Sequence, residues 1–374
     1  MTDAVRFGIL GCGSVGGFTG RLLTRPDGPL RERARLVAVA GQNLARAKAL
    51  GAELDRDALT VPELLARPDI DAVVVCTPSG THADIGCAAL RAGKHVLVEK
   101  PVEVTPEAAD RLIAAAAEAG RTLGVVSQHR FDPAALAVKS AVDRGELGRI
   151  TSVLIEVPLW RAADYYASGN WRGTRALDGG GALMNQAVHA VDLAQWLVGP
   201  VVRAAAHTGR LAHDGIEVED VATASLEFAG GALGALLATT AAYPGRVTRV
   251  AVNGDRGSAV IDNDELAYFH AAREGERGAA YGAYGAGDQS AERLPRPGPE
   301  QERDRAGLLY EPHRDQFADF CDAVRDGRAP AVDGTAGRRA VAAVHAVYTA
   351  ARTGRTVRVD DGAGTPAHHQ ERTP

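Results

Sequence analysis

Short apolar runs alternate with helical patterns along the first third of the chain. The apolar runs are nearly continuous, as expected of strands buried on both faces of a parallel sheet: VRFGIL, RLVAVAG, DAVVVCTP, KHVLVEKP and TLGVVSQ. The segments between them have helical length and composition: SVGGFTGRLL, LARAKALGAEL, THADIGCAALRAG and TPEAADRLIAAAAEAG. This alternation predicts a doubly wound α/β domain over residues 1–127.

The pattern changes in the remainder, where residues 128–360 predict a second, α+β domain. A helical segment, PAALAVKSAVDRGEL, precedes the long strand candidate ITSVLIEVPLW and a glycine-led helix from Gly179 to Leu197. Five strand candidates follow with no helical segment among them: VVRAAAHTGRLA, VATASLEFA, GALGALLATTAAYP, RVTRVAVNGD and GSAVIDND. A hairpin around Phe228–Ala232 and this run of strands predict an open, largely antiparallel sheet.

Two segments are too rich in Gly, Pro and charge to bury a core. Residues 273–306 predict a mobile loop, and residues 361–374 predict a disordered tail. Helical patterns resume between them, in YEPHRDQFADFCDAVRDG and AGRRAVAAVHAVYTAARTG.

Length and charge restrict the classes of function. A chain of 374 residues is long enough for two domains with a cleft between them. The net charge of -5, from 42 basic and 47 acidic residues, leaves no electrostatic footprint for nucleic acid or an anionic membrane surface. A small molecule is therefore the expected partner.

The four cysteines form no C-x-x-C pair and no metal-ligand spacing, which predicts unpaired thiols and no metal site. The N-terminus lacks the basic and apolar regions of a signal peptide, and no apolar run is long enough to cross a membrane. From these features we expect a cytoplasmic protein.

The first strand leads into a glycine-rich turn with the G-x-G-x-x-G spacing. Gly11 permits a tight turn, Gly13 lets the backbone approach a pyrophosphate, and Gly16 allows close packing of helix on strand. Ser14 and Val15 begin the helix whose N–H groups face that anion. In this strand–turn–helix context the motif predicts dinucleotide binding.

The end of the second strand bears on the choice between NAD and NADP. An acidic residue that binds the ribose hydroxyls of NAD is usual here, but this chain has Gly41 and Gln42, followed by Arg46. Arg46 could pair with a 2′-phosphate or be a solvated helix charge. The pattern therefore slightly favours NADP over NAD as the cofactor and does not exclude NAD.

The next two strands end at the same edge of the sheet, where ligands bind in open α/β folds. The further cofactor contacts predicted there and at the domain junction are Cys76, Thr77, Pro78, His82, Glu99, Lys100 and Gln128. His82 could instead cap the following helix. Lys100, followed by a proline, is expected beside the nicotinamide.

The glycine-led helix carries two polar residues on an apolar segment. Asn185 and His189 stand four residues apart and therefore project from one face. A lone histidine in such a helix is usually a buried residue satisfied by a backbone carbonyl. Together with the preceding motifs, however, the pair predicts contacts with a substrate hydroxyl, whereas Asp192 is interpreted as structural.

The segment before the glycines concentrates aromatic and basic side chains. Aromatic faces stack on pyranose rings, and arginines bind hydroxyls, carboxylates or phosphates. The alternative is an aromatic loop that packs between the domains. The predicted substrate contacts are Arg130, Trp160, Arg161, Tyr166, Trp171, Arg172, Asn185 and His189.

Taken in order, the four motifs G-x-G-x-x-G, C-T-P-x-x-x-H, E-K-P and G-G-G-x-L-x-N-x-x-x-H-x-x-D resemble those of the Gfo/Idh/MocA family over roughly residues 5–360. The resemblance implies a Rossmann domain followed by a domain whose open sheet often forms an oligomer interface, so we expect a dimer or tetramer. It also implies hydride transfer between a nicotinamide and a secondary alcohol of a sugar or cyclitol.

The resemblance assigns catalysis to Lys100 and His189, while Asn185 occupies a position where many members have aspartate. Proton transfer must then rest on the histidine, the lysine or both, and an amide can still hydrogen-bond a hydroxyl. We expect His189 to be the base and Lys100 to stabilise the oxyanion.

The favoured activity is an NAD(P)-dependent dehydrogenase acting on a ring alcohol of a sugar, glycoside, nucleotide sugar or cyclitol, with C3 of a pyranose the expected carbon. One alternative is a redox-neutral epimerase or glycoside 3-oxidase that retains its cofactor. Another is a non-catalytic sensor of cofactor or sugar, which predicts loss of the proton-transfer residues, although both are present.

Overall fold

The protein is described here as a computed structural model, over residues 4–24, 29–273, 275–276, 287–294 and 305–360. The predicted mobile loop falls largely outside these ranges, and the predicted disordered tail falls entirely outside them. All four cysteines are free thiols, as the sequence predicted. Among the helices within these ranges, none combines the length and the apolarity that a membrane span requires.

Residues 5–125 form a parallel sheet with helices on both faces, which confirms the predicted doubly wound fold. The order β3-β2-β1-β4-β5-β6 reverses direction between β1 and β4, as in dinucleotide-binding folds. The strands are β1 (Val5–Leu10), β2 (Ala34–Ala40), β3 (Asp57–Leu59), β4 (Ala72–Val75), β5 (His95–Val98) and β6 (Leu123–Val125). The helices are α1 (Ser14–Thr24), α2 (Leu44–Leu54), α3 (Val61–Ala66), α4 (His82–Arg91) and α5 (Pro106–Ala119). The sequence patterns did not predict the short elements β3 and α3.

The second sheet is mixed and mostly antiparallel, again as predicted. Its order is β13-β12-β11-β7-β10-β9-β8-β14, and β7 pairs with β10 in parallel. The predicted hairpin joins β9 to β10. The strands are β7 (Ile150–Pro158), β8 (Val201–Gly209), β9 (Val221–Phe228), β10 (Leu233–Thr239), β11 (Arg249–Gly254), β12 (Gly257–Asp262), β13 (Glu265–Ala271) and β14 (Val357–Arg358).

The helices of the second half separate into two groups. A π-helical turn, Ala182–Ala187, runs into α8, which packs with α6 and α11 on the second sheet. Helix α9 contacts β13 at the edge of the second sheet, and α10 lies on the first sheet. Their bounds are α6 (Pro133–Asp143), α7 (Ala163–Ala167), α8 (Val188–Val198), α9 (Ser290–Arg293), α10 (Arg305–Asp326) and α11 (Gly334–Thr353).

Helix α10 packs on the first sheet although it follows the second one in the chain. Phe317 and Phe320 lie 6.1 and 6.2 Å from the ring of Phe7 in β1, and both are fully buried. Helix α11 contacts both α5 and β8 and so joins the two layers. The expected boundary at residue 127 therefore separates the sheets but not their covering helices.

Candidate active site

The glycine turn after β1 has the shape that a dinucleotide needs. Gly11 has φ +111°, and a Cβ there would lie 2.5 Å from the carbonyl oxygen of Cys76. A Cβ at Gly16 would lie 1.9 Å from the oxygen of Gly11, so both glycines are required for packing. A Cβ at Gly13 would instead meet open space, beside the exposed Ser14 and Val15. The start of α1 therefore offers accessible backbone N–H groups, which fit a pyrophosphate.

The end of β2 faces a segment of the second domain. Gly41, Gln42 and Arg46 lie at the surface near a cavity of about 410 Å³, and Arg46 and Trp171 both line that cavity. Trp171, predicted to contact substrate, thus lies across from the ribose-binding edge of the first domain. This position suits a contact with the cofactor.

His82, predicted to contact the cofactor or to cap α4, ties two loops together through both of its ring nitrogens. Its Nδ1 lies 2.9 Å from the carbonyl oxygen of Pro101, and its Nε2 lies 2.9 Å from that of Thr77. The ring is buried, and burial lowers its pKa although both carbonyls oppose that shift. The side chain does not cap α4; it holds the loop Cys76–Pro78 against the Lys100–Pro101 turn.

Lys100 links the two domains at the carboxyl end of β5. Its Nζ donates a hydrogen bond to the backbone oxygen of Asn185 at 2.8 Å. Burial lowers the pKa of Lys100, Arg161 and Arg172 add to this effect, and Glu99 opposes it. Burial also raises the pKa of the neighbouring Glu99 to about 6. The lysine side chain is thus fixed beside the glycine-led helix.

The three glycines let that helix begin in close contact with both domains. Gly179 has φ +78°, and a Cβ there would lie 2.6 Å from Val104 of the first domain. A Cβ at Gly181 would lie 1.7 Å from the oxygen of Glu219. The following turn is π-helical where the sequence predicted an α-helix, a departure that occurs frequently at functional sites.

The amide of Asn185 lies within a polar network. It donates to Asp178, and its Oδ1 accepts from Tyr165 at 3.3 Å and from Gln186 at 2.7 Å. Asp178 is buried, and burial raises its pKa against the bond from the N–H of Gly173. The carboxylate missing at position 185 is therefore present one hydrogen bond away. The sequence signal for Asp178 is its place directly before the glycines.

His189 has no hydrogen bond to any residue that the structure describes. The ring of His129 meets it edge-on, with centroids 4.9 Å apart. Burial lowers the pKa of His189 well below its ordinary value, and Lys100, His129 and His313 add to the shift. The imidazole is therefore neutral at pH 7, so it can accept a proton.

Arg130, predicted to bind substrate, forms a buried ion pair with Asp192. Its Nε and Nη2 donate to the two oxygens of Asp192 at 2.8 and 2.5 Å, and Ser127 also donates to Asp192. The arginine is only 9% exposed. The pair fastens the domain junction to α8, which agrees with the structural interpretation of Asp192 and gives Arg130 a structural role.

The aromatic segment divides into two groups. Arg172 donates to the hydroxyl of Tyr165 at 2.9 Å, and Arg161 donates to Gln186 at 2.8 Å, so both arginines join the Asn185 network. The Nε of Arg161 is buried without a partner in the described part of the chain. Trp160 and Tyr166 pack instead against His213, with Tyr166 bonded to Thr240.

Next to His189 lies a charged cluster that the sequence did not predict. The Nδ1 of His129 lies 3.0 Å from Asp132 and 2.8 Å from Asp264, which is on the turn after β12. Burial opposes its protonation, but the two carboxylates raise the pKa of His129 to about 10. Gln128, predicted to contact the cofactor, is buried with its amide 3.1 Å from the same ring. Nothing in the local sequence signals Asp264.

Comparison with known proteins places this site in a family. Residues 5–127 match the oxidoreductase family with an NAD-binding Rossmann fold, and residues 135–260 match the GFO/IDH/MocA C-terminal domain. Inositol 2-dehydrogenase of Rhizobium meliloti is 30% identical over 69% of this chain and 76% of its own. Myo-inositol 2-dehydrogenase of Thermotoga maritima is 25% identical over 96% of this chain and 100% of its own.

A solved structure gives the same result. The WlbA dehydrogenase of Bordetella pertussis, in complex with NADH and UDP-GlcNAcA, is 30% identical and superposes with a TM-score of 0.81. The match covers 96% of this chain and 99% of that one.

Proposed function

Since the chain belongs to the Gfo/Idh/MocA family of NAD-binding oxidoreductases, we propose that it oxidises a ring secondary alcohol of a sugar or cyclitol, with C3 of a pyranose favoured. The observation that carries this proposal is that Lys100 and His189 line the same small cavity. Lys100 is held against the backbone of Asn185, and one turn later His189 presents ring nitrogens that no described residue binds.

His189 is the proposed base. Its lowered pKa keeps the imidazole neutral, so a ring nitrogen can take the hydroxyl proton of the alcohol. The ammonium of Lys100 donates a hydrogen bond to the same oxygen and stabilises the charge that develops on it. A nicotinamide bound at this edge supplies the acceptor for the hydride.

Three neighbouring groups hold Lys100 and the segment that receives it. Asp178 holds the amide of Asn185, and Asn185 places the carbonyl that receives Lys100. Tyr165, under the guanidinium of Arg172 at 4.4 Å, closes the network from the side of the aromatic segment. These contacts preorganise the site, which is the main requirement for electrostatic catalysis.

The cofactor is proposed to be NAD or NADP. The glycine turn fits a pyrophosphate, and a solved relative holds NADH. The absence of an acidic residue at Gly41 and Gln42 removes the group that would repel a 2′-phosphate, which supports NADP as the second possibility.

We also propose a homo-oligomer formed through the second sheet. Helices α6, α8 and α11 cover one face of that sheet, whereas residues on the outer face, such as Leu233 at 64%, are exposed. The face that the helices leave uncovered is the proposed interface between subunits. Light scattering after size-exclusion chromatography tests the proposal, and a monomer at micromolar concentration contradicts it.

The direct test of activity is absorbance at 340 nm. The purified protein is measured alone and then with NAD⁺ or NADP⁺ plus pyranosides, nucleotide sugars and inositols, beside a Lys100→Ala variant. Reduced cofactor that accumulates only with the native lysine supports the dehydrogenase. Bound cofactor without net reduction supports the redox-neutral enzyme, and cofactor binding with no turnover supports the sensor.

A further inference from the structure

A cavity of about 240 Å³ opens beside His189, between α8 and strands β7, β11 and β12. Aliphatic side chains, including Leu159 and Leu193, form much of its lining. The polar lining includes His129, His189 and Asp264. A cavity with an apolar surface and a few polar groups is typical of a small-molecule site, and its volume is below the roughly 300–1,000 Å³ of sites for drug-sized ligands.

The turn that carries Asp264 is unusual. Asn263 and Asp264 connect β12 to β13 with φ of +44° and +71°. Two-residue turns of this kind favour Asn followed by Gly, because the second residue is also left-handed. An aspartate therefore holds a position at which glycine would be less strained. Its side chain lines the cavity and binds His129.

The two carboxylates around His129 differ in exposure. Asp132 has 6% of its side chain exposed, whereas Asp264 has 35%. One carboxylate suffices to neutralise the imidazolium, so the pair gives this wall an excess of negative charge. A ligand in the cavity can reach only the more exposed of the two.

We propose that Asp264 is a specificity-determining residue that accepts a hydrogen bond from a hydroxyl of a neutral polyol ring. The inference rests on the proposed function, since it names the substrate class of the same site. An ionised carboxylate only accepts hydrogen bonds, so it favours hydroxyl groups and repels a ring that bears its own carboxylate. His129 positions this acceptor beside His189.

The test compares neutral rings with their uronate counterparts. The probes are myo-inositol, methyl β-D-glucoside and methyl β-D-glucuronide, each assayed by reduction of NAD⁺ or NADP⁺. For the native protein we expect kcat/KM to be at least about tenfold higher for the best neutral ring than for the uronate, because one charge-assisted hydrogen bond is replaced by repulsion.

Asp264→Asn keeps the size of the side chain and removes its charge. We expect KM for the neutral ring to rise about tenfold, kcat and KM for the cofactor to change little, and the preference over the uronate to shrink about tenfold. Glu265→Gln is the matched control, since it removes the adjacent, exposed carboxylate and should leave these values unchanged.

Preferential turnover of the uronate, or a neutral-to-uronate ratio that is the same in Asp264→Asn and native protein, overturns the inference alone. In both cases hydride transfer continues, so the proposed function stands. Absence of turnover with these three probes and with the nucleotide sugars of the 340 nm activity test overturns both.

Discussion

Two histidines, one in each sheet-forming half of the protein, lie largely inside the molecule and have different roles. Both ring nitrogens of His82 lie 2.9 Å from backbone carbonyls, whereas the ring nitrogens of His189 have no hydrogen-bond partner among the described residues. Burial lowers the pKa of both. Burial and the direction of the pKa shift therefore do not separate a histidine that holds the fold from one available to a substrate. What separates them is whether the ring nitrogens already have hydrogen-bond partners.

The largest expected effect comes from exchanging each histidine for glutamine. His189→Gln should lower kcat/KM about 10²–10⁴-fold, since it removes the base, and should change the free energy of unfolding by less than about 1 kcal/mol. His82→Gln should cost about 1–3 kcal/mol of stability, because a single amide nitrogen cannot lie against both carbonyls, which contact different nitrogens of the ring. Steady-state kinetics of both variants measure the loss of kcat/KM, and urea denaturation of both measures the loss of stability. Equal losses of activity would show that the comparison is mistaken.

A second test concerns Asp192, which follows His189 on α8 by less than one turn but has a structural role. Asp192→Ala should lower the free energy of unfolding by about 3–5 kcal/mol, because it leaves the buried Arg130 unpaired. The double variant Arg130→Met, Asp192→Leu should recover most of that stability. If the single variant unfolds like the native protein, the ion pair does not hold the junction.

The pH dependence distinguishes a free histidine from a bonded one. His189 must be neutral to accept a proton, so kcat/KM should fall about tenfold per pH unit only below its pKa, which lies well under 6.5. At high pH the rate should fall again as Lys100 loses its proton, at a pKa below 10.5. A full profile of His189→Gln serves as the control, because the acid limb should disappear. An acid limb above pH 6.5 would contradict the assignment.

The smallest effect concerns the two tryptophans of the aromatic segment. Trp171 lines the cavity near Arg46, whereas Trp160 packs on His213. Trp171→Ala should therefore raise KM for the cofactor by about tenfold, as the loss of one stacking contact would do. Trp160→Ala should leave that KM unchanged. An unchanged KM for the cofactor in Trp171→Ala, with a raised KM for the substrate, would support the original prediction that Trp171 contacts the substrate.

The sequence predicted features that depend on local pattern. The doubly wound sheet, the glycine turn and the hairpin at Phe228–Ala232 follow from periodicity and turn chemistry, and the structure has all of them. The short β3 and α3 were not predicted because a strand of three residues carries too little pattern.

Contacts between distant segments account for most of what the sequence did not predict. In the sequence Arg130 resembles a ligand-binding arginine, but in the structure its Nε and Nη2 are bonded to Asp192, which lies 62 residues later in the chain. Asp264 belongs to the site only because a hairpin of the second sheet returns to the domain junction. The placement of Lys100 and His189 could be inferred because motifs, rather than tertiary contacts, marked them.

The position of α10 affects when the first domain can finish folding during synthesis. Phe7 in the first strand is covered by Phe317 and Phe320, which the ribosome adds only after strands β1 to β13. Until then, the first domain exposes an apolar surface whose cover has not yet been synthesised. Such intermediates attract chaperones and aggregate readily. For this protein, the first domain can be completed only after the strands β7 to β13 of the second sheet have been synthesised.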